Sequence, residues 1–259
     1  MTEERVRDYW NDNAPAWTQL ARSGYDLYRD AINTPAFFAI LPEVCGLQGI
    51  DIGCGEGHNT RLLAARGANM DAIDISPVFI HLAQATEQAN GPLIQYQVAS
   101  ATKLPFADDA FDFATSFMCL MDVPDAKAAI KEVFRVIRPG GFFLFSIEHP
   151  CFKTRHLAKV KDAHGQIIAY EVGEYFSDAV QVEKWLFKKA DQAFPPVSRP
   201  FQIPVFHRTL SFWINETIGA GFRLDAINEP HPNAQTLHDY PELAGAGQVA
   251  YFLHLLCRK

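Results

Sequence analysis

From Ile50 to Asn59 the chain reads Ile-Asp-Ile-Gly-Cys-Gly-Glu-Gly-His-Asn, a β-branched run with a carboxylate, followed by three glycines at alternate positions. Glycine accepts positive φ and leaves the backbone bare. The next run, Thr60 to Ala65, reads as a helix whose first N–H groups can meet a ligand. One glycine can serve packing alone; three in this spacing after Asp51 favour a cofactor cradle. A second acid, Asp74, lies near the end of the next apolar run, Met70 to Ile75. It stands about 20 residues past the turn, the interval at which the ribose of a bound nucleotide meets an acid. Its carboxylate can accept from two neighbouring hydroxyls, each bond being worth about 1.5–3 kcal/mol.

The elements that must position these residues alternate. Strands are expected at Gln48 to Ile52, Met70 to Ile75, Leu93 to Val98, Phe111 to Phe117 and Phe142 to Ile147. Helices are expected between them. Asn59 to Arg66 ends at Gly67; Val78 to Ala89 starts behind Ser76-Pro77 and stops at Asn90-Gly91-Pro92; a third starts at Asp122 and Pro124. In that third helix Ala126, Ala129, Ile130, Val133, Phe134 and Ile137 share one face. Alternation of this kind requires parallel pairing, right-handed crossovers and helices on both faces. The fold class is therefore α/β, a Rossmann-like doubly wound sheet, with the ligand beside the first strand where the strand order reverses.

Composition narrows the classes. The chain has 259 residues, 48% hydrophobic and 20% charged, within the ordinary globular range. A net charge of −7 argues against nucleic acid as partner. No apolar run reaches the ~20 residues of a membrane span, and the polar start Met1-Thr2-Glu3-Glu4-Arg5 lacks a signal-peptide core, so a cytoplasmic location without membrane contact is expected. The five cysteines form no C-x-x-C pair, which fits reduced thiols, and no metal site is expected.

A dinucleotide turn would read G-x-G-x-x-G/A, but from Gly53 and Gly55 the third position is His58. The sequence instead resembles the class I S-adenosylmethionine-dependent methyltransferases, in their small-molecule branch. The acid followed by G-x-G-x-G is Asp51, Gly53, Gly55 and Gly57. Ala101 to Phe106, Asp109 to Asp112 and Arg135 to Gly141 follow in register. The resemblance implies a seven-stranded sheet with an antiparallel last strand. It also implies S-adenosylmethionine as cofactor, with S-adenosylhomocysteine as product, and in-line methyl transfer to a small-molecule acceptor, oxygen or nitrogen being favoured over carbon. It places Asp51, Gly53, Cys54 and Gly55 at the methionine end, Asp74 and Ile75 at the ribose, and Ser100, Ala101 and Thr102 at the adenine. Phe117 and Met118 fall at the cofactor centre, with plain core as the alternative. Ser100 stands where the family often has an acid that bonds the adenine amino group.

A hydroxyl or ammonium acceptor must lose a proton, and a positioned base helps about 10²–10⁴-fold. His149, directly past the fifth strand, is the first candidate, and His207 is the second. The leader carries Tyr9, Trp10, Trp17, Tyr25 and Tyr28 on helical stretches Glu3 to Asn11 and Ala16 to Asp30, with breaks at Pro15 and Gly24. These rings either anchor the leader or roof a pocket, and Tyr9 and Trp17 are taken as cofactor contacts. From 148 to 206 the rhythm stops in an aromatic, proline-rich stretch with strands at Gln166 to Val172 and Val180 to Phe187. It reads as an inserted lid or as a dimerisation arm, so the protein is a monomer or a homodimer. The expected division is an N-terminal helical cap at 1–46, the cofactor-binding core at 47–147, the insertion at 148–206 and the rest of the core at 207–259. There a helix from Thr209 to Gly219 and strands Arg223 to Asn228 and Gln248 to Cys257 are expected. Two alternatives stay open: a nicotinamide oxidoreductase on a similar sheet, and a protein that binds S-adenosylmethionine without transferring methyl.

Overall fold

The computed structural model describes residues 1–259 except 91–93, 188–189, 191–192, 194–196 and 198. The expected strand start at Leu93 and helix stop at Gly91-Pro92 lie outside the described residues, while the helix itself, α4, runs Pro77–Asn90. Seven strands form the central sheet: β1 Gln48–Ile52, β2 Asn69–Asp74, β3 Gln95–Val98, β4 Phe111–Phe117, β5 Ile137–Glu148, β10 Arg223–Asn228 and β11 Phe252–Arg258. Their order is β10-β11-β5-β4-β1-β2-β3. β1 pairs in parallel with β2 on one side and β4 on the other, so the strand order reverses beside the glycine turn. β11 runs antiparallel to both β5 and β10.

The apolar strands divide their side chains between two layers. Ile50, Ile52, Phe143, Phe145 and Ile147 pack with Ile130 and Val133 of α5 (Ala126–Val136) and Trp213 of α6 (Leu210–Gly219). On the other face Phe113, Phe142 and Leu144 pack with Phe37 of α2 (Thr34–Ile40) and with Leu63 of α3 (His58–Ala65). Burial on both faces is why these strands are nearly continuous in apolar residues.

Several boundaries differ from expectation. The leader forms one helix, α1 Glu3–Arg22, with Pro15 inside it. Proline removes one N–H, and tertiary packing of the buried Asn13, Ala14, Thr18 and Leu20 outweighs that loss. A π-turn at Arg29–Asn33 precedes α2. Asp122 belongs to a 3₁₀ turn, Leu120–Asp122, and Asp125 is the residue that caps α5, accepting from Ala128 N. Arg138 to Gly141 bulges out within β5, since Phe111 pairs Ile137 and Phe113 pairs Phe142. The insertion holds two hairpins. β6 (His156–Lys161) pairs β7 (Ile167–Gly173), and β8 (Gln181–Trp185) pairs β9 (Phe201–Val205); β6 and β9 were not expected. Between β10 and β11 lies a short helix, α7 Ala234–Asp239, that has no clear apolar period.

Candidate active site

All three glycines of the turn take positive φ: 73° at Gly53, 55° at Gly55 and 84° at Gly57. Gly53 N and Cys54 N donate to Ile73 O, tying the turn to β2. Gly55 N donates to Asp74 Oδ2 at 2.9 Å, and Ser76 N donates to Oδ1 at 2.8 Å. Each carboxylate oxygen thus holds one amide and keeps a lone pair for a ligand hydroxyl. Burial raises the Asp74 carboxyl to about 6, against the two amide bonds. Asp51 lies one strand away, accepting from Thr60 Oγ1 at 2.6 Å and Thr115 Oγ1 at 3.0 Å. It pins β1 to α3 and β4, and burial raises it to about 6 as well.

A cavity of about 590 Å³ opens over this turn. Gly53, Cys54, Gly55, Asp74, Ile75, Ser100, Ala101, Phe117, Met118 and Trp17 line it. Asp51, Thr102 and Tyr9 are not among its lining residues: Asp51 is committed to its two threonines, Thr102 Oγ1 donates to Glu3, and Tyr9 lies beneath the Arg5 guanidinium. Ser100 is engaged too. Its Oγ donates to Glu3 Oε1 at 2.8 Å, so the first turn of α1 delivers a carboxylate to the end of the cavity where the adenine was expected. Met118 is a non-glycine residue at φ 53°, held there by its N–H on Ser146 O, and this strain turns the chain sharply out of β4 under the cavity.

The two histidines sit elsewhere. His149 is buried, accepts Cys151 N on Nδ1 and therefore donates Nε2–H to Glu229 Oε1 at 2.6 Å. His207 Nε2 lies 2.7 Å from Tyr175 O. Neither is among the described residues lining the cavity. Its far end is walled instead by Asp122, Glu148, Lys153, Glu183, Trp185 and Phe187. Trp17 of α1 packs on Trp185, Phe187 and Phe201 of the insertion, with ring centroids 5.0–5.1 Å apart, and closes the roof. The sequence offered one signal for Asp122, its place just past the carboxyl end of β4. It offered none for Glu3, Lys153 or Glu183.

Known proteins resemble this chain in sequence and fold. A family model for the methyltransferase domain matches residues 50–145. A Mycobacterium tuberculosis protein is 40% identical over 96 residues, 37% of this chain and 35% of that protein. Malonyl-[acyl-carrier protein] O-methyltransferase of Serratia marcescens is 34% identical over 101 residues, 39% of this chain and 38% of that enzyme. The chain thus spans little more than a third of the length of these relatives. An S-adenosylmethionine-dependent methyltransferase from Mesorhizobium loti, known from its crystal structure, is 30% identical, has a TM-score of 0.71, and is covered over 96% of its length by 87% of this chain. This chain belongs to the S-adenosylmethionine-dependent methyltransferases. The residues present fit the family's cofactor. A Cβ built on Gly55 meets nothing within 4 Å, which leaves open space against bare backbone at the turn, and Asp74 keeps its spare lone pairs for the ribose hydroxyls. Nδ2 of the buried, cavity-lining Asn33 has no hydrogen-bond partner among the described residues and offers a further donor. Its Oδ1 is already taken by Ser146 Oγ and His254 Nε2–H, which fixes the amide's orientation.

Proposed function

We propose that this chain is an enzyme that transfers methyl from S-adenosylmethionine to a small-molecule acceptor. One observation carries the reading: a single cavity runs from the glycine turn and Asp74 to the aromatic insertion, so donor and acceptor would share one space. When bound, S-adenosylmethionine supplies a methyl group already activated on sulfur. What the chain must add is proximity and orientation, an effect that can reach about 7–11 kcal/mol. Asp74 would hold the ribose edge and Glu3, with Ser100, the adenine edge; Trp17, Trp185 and Phe187 would exclude water. We read the 148–206 segment as the lid of the acceptor pocket, because it supplies most of the far wall. Oxygen or nitrogen is favoured as the accepting atom, since carboxylates able to take the displaced proton line that wall.

Calorimetry with S-adenosylmethionine, S-adenosylhomocysteine and NAD tests the reading. Both sulfur nucleotides are expected to bind and NAD to fail; absence of binding by either sulfur nucleotide rejects it.

A further inference from the structure

Asp122 closes the far end of the cavity from the 3₁₀ turn after β4. It is 6% exposed, and its Oδ1 has no hydrogen-bond partner among the described residues. Two more carboxylates reach the same end from separate elements, Glu148 from the end of β5 and Glu183 from β8. Lys153 stands between these two, its Nζ 2.9 Å from Glu183 and 3.6 Å from Glu148. Arg208 lies near Asp122 but turns its N–H groups to the carbonyls of Phe206, Val123 and Pro124. The pocket end therefore gathers three acids against the two cations Lys153 and Arg208, and Asp122 Oδ1 is left without a hydrogen-bond partner among the described residues.

An unpaired buried carboxylate is costly, and a ligand cation would relieve it, whereas a neutral or anionic head would not. The walls suit the same ligand. Trp185 is two residues beyond Glu183 on β8 and shares its face, with the Trp17 ring tilted against it, centroids 5.1 Å apart.

We propose that the acceptor is a primary or secondary amine on a flat apolar body, its nitrogen held by Asp122 with Glu148 and Glu183 beside it, its body against Trp17 and Trp185. This rests on the methyltransferase reading and narrows the accepting atom to nitrogen. In the transfer the bound ammonium first gives one proton to the Asp122 carboxylate, which frees the nitrogen lone pair. That lone pair forms the new N–C bond as the C–S bond breaks, the C–S electron pair stays on sulfur, and the methylated nitrogen leaves as an ammonium. Burial, reinforced by Glu148 and Glu183, pushes this carboxyl well above the usual range, which suits it to receive a proton.

The test uses the full chain saturated with S-adenosylhomocysteine and titrated calorimetrically with tryptamine, tryptophol and indole-3-propionate, three probes that share a ring and differ in the head group. Tryptamine is expected to bind about tenfold or more tighter than the other two, the worth of one charged hydrogen bond. Asp122→Asn should abolish that preference while leaving S-adenosylhomocysteine affinity within about twofold. Should Asp122→Asn fail to fold, Glu183→Gln, on a separate hairpin, should reduce the preference in the same direction. Equal binding of the alcohol or the acid, no binding of the amine, or an unchanged preference in a folded variant overturns the proposal and leaves the methyltransferase reading standing. Failure to bind S-adenosylhomocysteine overturns both.

Discussion

Asp74 accepts Gly55 N and Ser76 N on separate oxygens, so the acid expected at the ribose also holds the glycine turn in shape. Asp74→Ala should therefore weaken S-adenosylhomocysteine binding by about 10–100-fold in calorimetry, from lost hydroxyl bonds together with a loosened turn. Unchanged affinity would remove Asp74 from the site. Its titration gives a second expectation. Burial holds the folded carboxyl at about 6 against an ordinary 3.8, so between these values the folded chain keeps a proton that the unfolded chain has lost. The contribution of Asp74 to stability therefore declines as pH rises through that window. Ribose hydroxyls donate best to the ionised form, so S-adenosylhomocysteine affinity should rise from about pH 5 to about pH 7 and then level. A flat profile, or the same profile in Asp74→Asn, rejects the assignment. Both the turn and Asp74 were legible in the sequence, because positive φ demands glycine and the βα spacing fixes where the next strand ends. Glu3 and Glu183 were not, because a lone acid in a sequence carries no mark of the neighbours that bury it.

Among the elements, α1 and the insertion depend on each other. Trp17 meets Trp185, Phe187 and Phe201, and Asn13 Nδ2 donates to Gln202 O across the same seam. Trp17→Ala should cost about 2–4 kcal/mol in denaturant unfolding, below the full value for a buried tryptophan because one side faces the cavity. The same substitution should impair acceptor binding more than S-adenosylhomocysteine binding, and equal losses in both would count against a roof over the acceptor. Elements with a strong period were legible. In α5, Ala126, Ala129, Ile130 and Val133 are buried as their spacing requires, and Thr209 caps α6 by accepting Phe212 N. Elements without one were not. β6 is largely exposed and lacks a clean alternation, and α7 buries no residue at all. Pro15 misled for a related reason: local sequence reports the lost N–H but not the packing that compensates for it.

For the whole molecule, the order β10-β11-β5-β4-β1-β2-β3 puts the switch point beside β1 and gathers Gly53, Asp74, Ala101, Met118 and Asp122 around one cavity. A ligand there touches many elements at once and should stabilise the fold as a unit. At about 100 times its Kd, S-adenosylhomocysteine should add about 2.7 kcal/mol to unfolding stability, read as a raised Tm, while NAD at the same concentration leaves Tm unchanged. A rise with NAD alone would revive the nicotinamide alternative. The sequence by itself determined the parallel core and the residues of the glycine turn, since backbone conformation and apolar period are local properties. Only the tertiary structure decided what the far end of the cavity is. His149 turned to Glu229, Ser100 turned to Glu3, and Asp122, Glu148 and Glu183 came together from three elements. Side-chain chemistry of that kind is set by contacts between residues tens of positions apart, and no local pattern encodes them.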